Sequence, residues 1–234
     1  MNIVSIMAHQ DDEMYCLGTM LRCRARGDRL HFITLTDGSK GFVQSPEILR
    51  PDAAAIRHRE MSALAAAAGA TFTNLHEPDE FLYDTPDLRL RLIEAIRATK
   101  ADVLFTHYAV DYNLDHLTTN NLVRHCAMQA CLPVLPTASD SLRAHPAVFL
   151  IEPHGPIDFA PTHYVDISSV VDEKSRLLAL HDSQEQAFKS IGTGLGEFVR
   201  IASRFRGEKV GCTHAEAFVS MQARGAVKPF PVLP

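Results

Sequence analysis

No stretch of this chain approaches the ~18 consecutive apolar residues that a membrane-spanning helix needs. Nor does a basic leader precede the short apolar run NIVSIM at its start, so the expectation is a cytoplasmic protein without a membrane span. Basic charge is not in excess: Lys and Arg number 23 against 28 Asp and Glu, a formal net charge of −5. That balance argues against nucleic acid as a partner, because phosphate-backbone binding needs a basic surface. The local cluster Arg22, Arg24, Arg26 and Arg29 fits a solvated helix face. The five cysteines, Cys16, Cys23, Cys126, Cys131 and Cys212, make no C-x-x-C pair. An odd count in a chain of this size excludes a disulfide framework and suits small buried apolar residues. The first strand-to-helix turn lacks G-x-G-x-x-G, which ranks a nucleotide-binding protein low. There is no internal repeat and no low-complexity tract.

What is present is the material for one large α/β domain over residues 1–234: 46% hydrophobic and 22% charged residues are ordinary for a globular chain. Short apolar, β-branched runs predict strands at 2–8, 30–36, 71–75, 102–108 and 147–152. Between them lie segments of helical period. One contains Met14, Leu17, Met20 and Leu21 and is closed by Gly27; a second covers 53–68 before Gly69; a third follows Pro86; a fourth starts near Leu117. Two more helices are predicted at about 169–181 and 195–205, after the proline-rich connection EPHGPIDFAP. This order predicts a doubly wound, mostly parallel sheet flanked by helices, whose ligands sit at the carboxyl ends of the strands.

Polar residues collect at that edge: AHQDDE after the first strand, TDGSKG after the second, HEPDE after the third and HYAVDYNLDH after the fourth. Asp11, Asp12 and Glu13 repel one another, and burying them costs several kcal/mol unless something positive is bound. Catalytic zinc takes three protein ligands from His and carboxylate. His9 and Asp12 are three apart across a turn and can face one centre. His116 is the best placed of the twelve histidines as third ligand, with His107 as its rival inside a strand. One Zn2+ so held would activate water, leaving Asp11 to shuttle protons. A simpler reading is that His-x-Asp-Asp merely starts a helix. The second cluster, Asp111 to His116, at the equivalent end of another strand favours a site.

AHQDDE resembles the A-H-P-D-D-E signature of the zinc-dependent deacetylases called LmbE-like or PIG-L, and DYNLDH resembles that family's motif ending in H-P-D-H. IRHREMSALAAAAGA, HDSQ at 181–184 and RG followed by HAEAF resemble further blocks. The resemblance implies a Rossmann-like fold and hydrolysis of an N-acetyl group on a small polar substrate such as an amino sugar. It implies His9, Asp12 and His116 as metal ligands, Asp11 as general base, and Arg57 and Asp79 on the substrate side. Two positions depart from the pattern. Gln10 replaces a proline, altering the stiffness of the turn. Asn113 replaces a histidine that stabilises the oxyanion, so Asn113, Tyr112 or His214 would supply that donor and Asp115 would orient His116 or Asn113. A metal phosphoesterase is the alternative reading, weaker because two metals need more bridging carboxylates. His145, His154 and His163 read as surface groups, Asp37 and Lys40 as a possible rim to the pocket, and EPDEFLYDTPD as a solvated loop. The proline-rich tail at 227–234 suits packing on a second copy, in a homo-oligomer, or on its own core.

Overall fold

Strand β1 (Asn2–Met7) is apolar on both faces, and its alternation divides the core in two: Ile3 and Met7 enter one cluster, Val4 and Ile6 the other. The same split runs through β2 (Arg29–Thr36), β4 (Val103–Thr106) and β5 (Ala147–Ile151). One face is covered by α1 (Leu17–Ala25), α2 (Arg50–Ala67), α5 (Val171–Leu178) and α7 (Leu195–Val210). The other is covered by α3 (Pro86–Ala98) and α4 (Leu114–Gln129), through Leu88, Leu92, Ile96, Leu122 and Val123. Each such fully buried side chain contributes about 1.5–3 kcal/mol. The remaining elements are β3 (Ala70–Glu77), β6 (His163–Asp166), α6 (Asp182–Ser190) and β7 (Ala215–Ser220). This computed structural model describes residues 1–41, 50–155, 158–190 and 192–221; the tail at 227–234 lies outside them.

The sheet has seven strands in the order β3-β2-β1-β4-β5-β7-β6. β3 to β5 pair in parallel, and β7 runs antiparallel to both of its neighbours. The expected α/β, Rossmann-like architecture is therefore present. Five strands fall where the sequence predicts them, with shifted ends. β6 and β7 are additional, as is α6, and α4 starts at Leu114 rather than near Leu117 because Asn113 caps it. Among the described residues no helix is long and apolar enough to cross a membrane.

Strand order reverses between β1 and β4, which are neighbours although three strands apart in sequence rank. At such a switch point the connections leave in opposite directions and a crevice opens beyond the strand ends. The β1–α1 and β4–α4 connections, with AHQDDE and DYNLDH, flank that crevice.

Candidate metal and active site

The turn after β1 is tied down on all sides. Ala8 N donates to His107 Nε2 (3.0 Å), Ala8 O accepts from Thr36 Oγ1 (2.8 Å), and His9 N donates to Asp12 Oδ2 (2.7 Å). Gln10 is fully buried and its Nε2 donates to Thr36 O at 3.0 Å. A Cβ on Gly38, at φ +66°, would lie 2.0 Å from Gln10 Oε1, so this glutamine does more than change stiffness: it ties the turn to β2 and requires glycine opposite. Asp11 has φ 121°, a left-handed conformation that costs a non-glycine residue about 1–3 kcal/mol. Surrounding bonds sustain it. Asp11 N donates to Glu13 Oε2 at 3.0 Å, and Arg57 Nη2 donates to Asp11 Oδ1 at 2.9 Å and to Gln10 O.

Side chains of three residues converge beyond this turn. His9 Nδ1 lies 3.3 Å from His116 Nε2 and 3.3 Å from Asp12 Oδ2, and His116 Nε2 lies 3.3 Å from Asp12 Oδ1. Ligands on a tetrahedral zinc at ~2.0–2.1 Å are spaced about 3.3–3.4 Å apart, so the separations suit a small divalent cation. Two overlapping groups, His107 with Asp111 and His116, and His9 with Asp79 and Asp115, share these histidines. They read better as supports. His107 Nε2 accepts the Ala8 N–H, its ring stacks on His116 at 3.9 Å between centroids, and burial followed by the nearby His116 pulls its pKa down to about 4. Its Nε2 is thus taken up by a backbone N–H, whereas His116 Nε2 faces His9 and Asp12.

Carboxylates orient both imidazoles, as partners of metal-binding histidines commonly do. Asp111 Oδ2 sits 3.0 Å from His116 Nδ1, while Asp79 Oδ1 and Asp115 Oδ2 sit 3.1 and 3.4 Å from His9 Nε2. Burial lowers the pKa of His9, but Asp115, Asp12 and Asp79 outweigh it and hold the ring well above its usual range. For His116 burial is likewise overcome, by Asp12 and Asp111, giving about 9. Asp12 is buried too, yet the neighbouring His116 keeps its carboxyl well below the usual range. Asp11 goes the other way. Burial raises its pKa, Arg57 only partly opposes this, and Asp12 and Glu13 push it further up.

A cavity of about 280 Å³ opens over these groups, lined among others by His9, Asp11, Asp12, Arg57, Asp79, Tyr112, Asn113 and His116. Asn113 Oδ1 accepts from Asp115 N (2.7 Å) and His116 N (3.3 Å) as the cap of α4, which leaves its Nδ2 for the cavity. Asp115 does not orient His116 or Asn113. It accepts from Glu80 N (2.8 Å) and Leu82 N (3.1 Å), pinning the loop after β3 and backing His9. That loop is thus only partly solvated: Asp79 and Leu82 are buried while Phe81 and Tyr83 are exposed. Lys40 lines the cavity, as does Tyr112, which is 64% exposed at its lip.

His214 is not brought to the cavity. Its backbone bonds to Ser168 and Ile167, and its ring lies 3.3 Å from Thr213 Oγ1. The residue that matters in HAEAF is Glu216, 4% exposed, whose oxygens accept from Gly18 N (2.8 Å) and Thr19 N (2.7 Å) at the start of α1 and bind Lys174 Nζ (2.8 Å). His154 was expected at the surface but lines the cavity, 3.3 Å from Tyr15 Oη and stacked on Phe198. Asp111 and His154 line the cavity but were missed as candidate site residues, and only Asp111 had a local signal, its place at the head of DYNLDH.

The model of the PIG-L family, GlcNAc-PI de-N-acetylase, matches residues 4–127. Among solved structures, the conserved protein TT1542 from Thermus thermophilus is 27% identical, with a TM-score of 0.79 and 96% of each chain covered. N,N'-diacetylchitobiose deacetylase from Pyrococcus horikoshii is 22% identical, with a TM-score of 0.81 over 94% of this chain and 83% of that one. The 4-carboxy-2-hydroxymuconate hydratase from Pseudomonas putida is 21% identical, with a TM-score of 0.82 over 98% and 99%. None of the curated proteins matches the chain. The family model covers more than half of the sequence, and with the fold and the His/Asp cluster this makes the protein an enzyme of the PIG-L family of de-N-acetylases.

Proposed function

We propose that the protein is a zinc-dependent N-deacetylase that hydrolyses the acetamide of a small polar molecule, such as an N-acetylated amino sugar, to a free amine and acetate. The observation that carries this reading is the arrangement around Asp11. Its carboxylate lines the same cavity as the three converging residues, is not one of them, and is held by Arg57 at 2.9 Å. His9, Asp12 and His116 would hold the cation, which when bound acidifies water and polarises the substrate carbonyl.

The chain's own groups account for the remaining steps. Asp11, whose pKa is raised by burial, takes a proton from water attacking the amide carbon, then returns it to the nitrogen as the C–N bond breaks. Asn113 Nδ2 is the donor available to the oxyanion, with the Tyr112 hydroxyl as a second; a good donor of this type contributes about 2.7–4 kcal/mol. His107 and Asp111 keep His116 in place, and Asp79 and Asp115 do the same for His9. Among the described residues six carboxylates line the cavity, Asp11, Asp12, Asp79, Glu80, Asp111 and Glu152, against Lys40 and Arg57 as cations other than histidine. Such a wall suits a neutral amide that becomes an ammonium product.

Hydration of a carbon–carbon double bond is a second reading, favoured by the likeness to the hydratase and by an amide at position 113 where the de-N-acetylase motif has imidazole. The acidic lining argues against a polycarboxylate substrate. Acetate release from a panel of N-acetylated amino sugars and amino acids, with protein carrying one zinc per chain, separates the two. Turnover with acetate supports deacetylation. Full activity in protein stripped of metal refutes the zinc-dependent reading, and two metals per chain at full activity would favour a phosphoesterase.

A further inference from the structure

We infer that His181, acting through Glu13, is a positioning residue for Asp11; the inference rests on the deacetylase reading for what Asp11 does. His181 Nε2 lies 2.8 Å from Glu13 Oε1, and the other oxygen of that carboxylate accepts the Asp11 N–H at 3.0 Å. Both side chains are sealed from solvent, at 0% and 1% exposure, and neither lines the cavity. Neither belongs to the metal-ligand groups. The pair's hydrogen bond to the reacting region is made to one atom, the Asp11 amide.

That amide belongs to the residue at φ 121°, which an ordinary aspartate would leave if unrestrained. Arg57 restrains the Asp11 carboxylate and the Gln10 carbonyl, and Met14 N donates to Asp11 O at 3.0 Å. Among the described residues Glu13 alone accepts from the N–H. A buried carboxylate can do so only while it has a donor of its own, and His181 Nε2 is placed to be that donor; among the described residues Nδ1 has no hydrogen-bond partner. The imidazole is anchored from behind. His181 N donates to Leu178 O (3.0 Å), and His181 O accepts from Gln184 N (3.0 Å) and Glu185 N (2.8 Å) where α5 passes into α6. Because the backbone holds itself, removing the ring should cost the Asp11 turn its aim without unseating the helix.

The test compares zinc-loaded wild type with His181→Leu, which keeps apolar bulk but no donor, and His181→Gln, which keeps one. In His181→Leu, kcat for acetate release should fall about 10–100-fold with KM and zinc stoichiometry within twofold, the size usual for partners that orient active-site groups. His181→Gln should recover most of the loss. Amide hydrogen exchange should quicken in His181→Leu across residues 8–16 and stay unchanged in β5 and α7. Should His181→Leu not fold, Glu13→Gln reads the link from its other end, since a neutral amide can accept from only one of its two neighbours. A fall in kcat at unchanged KM is again expected. Unchanged kcat and exchange would overturn the inference, as would a loss that follows zinc release or a uniform rise in exchange along the whole chain. Failure of the wild type to release acetate would sink the deacetylase reading instead, while the exchange comparison would still decide whether His181 holds the Asp11 turn.

Discussion

Replacing Asp11 by Asn should separate catalysis from stability in opposite directions. Asn is isosteric, and its Oδ1 still accepts from Arg57 Nη2, so the turn and the three ligand atoms are retained. What disappears is the proton-accepting oxygen. General-base catalysis is worth about 10²–10⁴-fold, or about 3–5 kcal/mol of barrier, so kcat should fall by that factor with zinc still at one per chain. Stability responds to another feature. Burial, with Asp12 and Glu13 beside it, raises the pKa of Asp11 despite Arg57. A carboxyl whose pKa is higher in the folded state than in the unfolded chain weakens the fold as pH rises through that interval, and the full penalty is reached above the folded-state pKa. In metal-free protein at pH ~7.5, Asp11→Asn should therefore raise Tm, by about 2–4 °C for each kcal/mol of repulsion removed. With zinc bound the gain should shrink, because the cation offsets the same repulsion. Acetate release, zinc analysis and calorimetry on both metal states make the comparison. A metal-free variant that melts below wild type, or one that hydrolyses at the normal rate, would refute the assignment of Asp11 as a strained base.

His116→Ala should lose both zinc and activity, and a variant retaining one zinc per chain by elemental analysis would exclude His116 as a ligand. In metal-free protein His116 titrates at about 9 against an ordinary 6.5, so the stability it contributes is complete below pH 6.5 and is lost as pH rises through 9; Tm should decline across that window. Zinc must displace this proton and the one on His9, whose pKa is raised as well, so affinity measured by chelator competition should rise by up to about a hundredfold per pH unit below 9. Asn113→Asp keeps the acceptor that caps α4 but removes the Nδ2 donor, so Tm should hold while kcat drops about 10²-fold; Asn113→Ala should also lose about 1 kcal/mol of stability.

The elements legible in the sequence were those buried on both faces or along a clean stripe. β1, β2, β4 and β5 read as continuous apolar runs, and α3 as Leu88, Leu92, Ile93 and Ile96 at helical spacing. β6 escaped because it is a four-residue edge strand with a single buried position, and β7 because a charged residue, Glu216, interrupts it. That glutamate is tolerable only through Gly18 N, Thr19 N and Lys174, from elements remote in sequence. The converging ligands were legible in part because His9 and Asp12 share one turn. Their supports were not, since Asp79 and Asp115 reach His9 from two other loops, and the expectation that a histidine beside a proline faces solvent hid His154. Conversely the ring of His214, conspicuous in HAEAF, does less than its backbone.

Three adjacent acids looked costly to bury, and the fold meets that cost by sending each to a different cationic or hydrogen-bonding partner. Asp12 lies between His116 of α4 and His107 at the end of β4. Asp11 faces Arg57 of α2, and Glu13 faces His181 at the α5–α6 junction, 168 residues away. No two of the three share these partners, so each carboxylate keeps its own geometry even though Asp12 and Glu13 raise the pKa of Asp11. The match to the family model ends at 127, after His116 but before the partner of Glu13. The converging His9, Asp12 and His116 thus lie in the first half of the chain, whereas the Asp11 turn also draws on the second through His181.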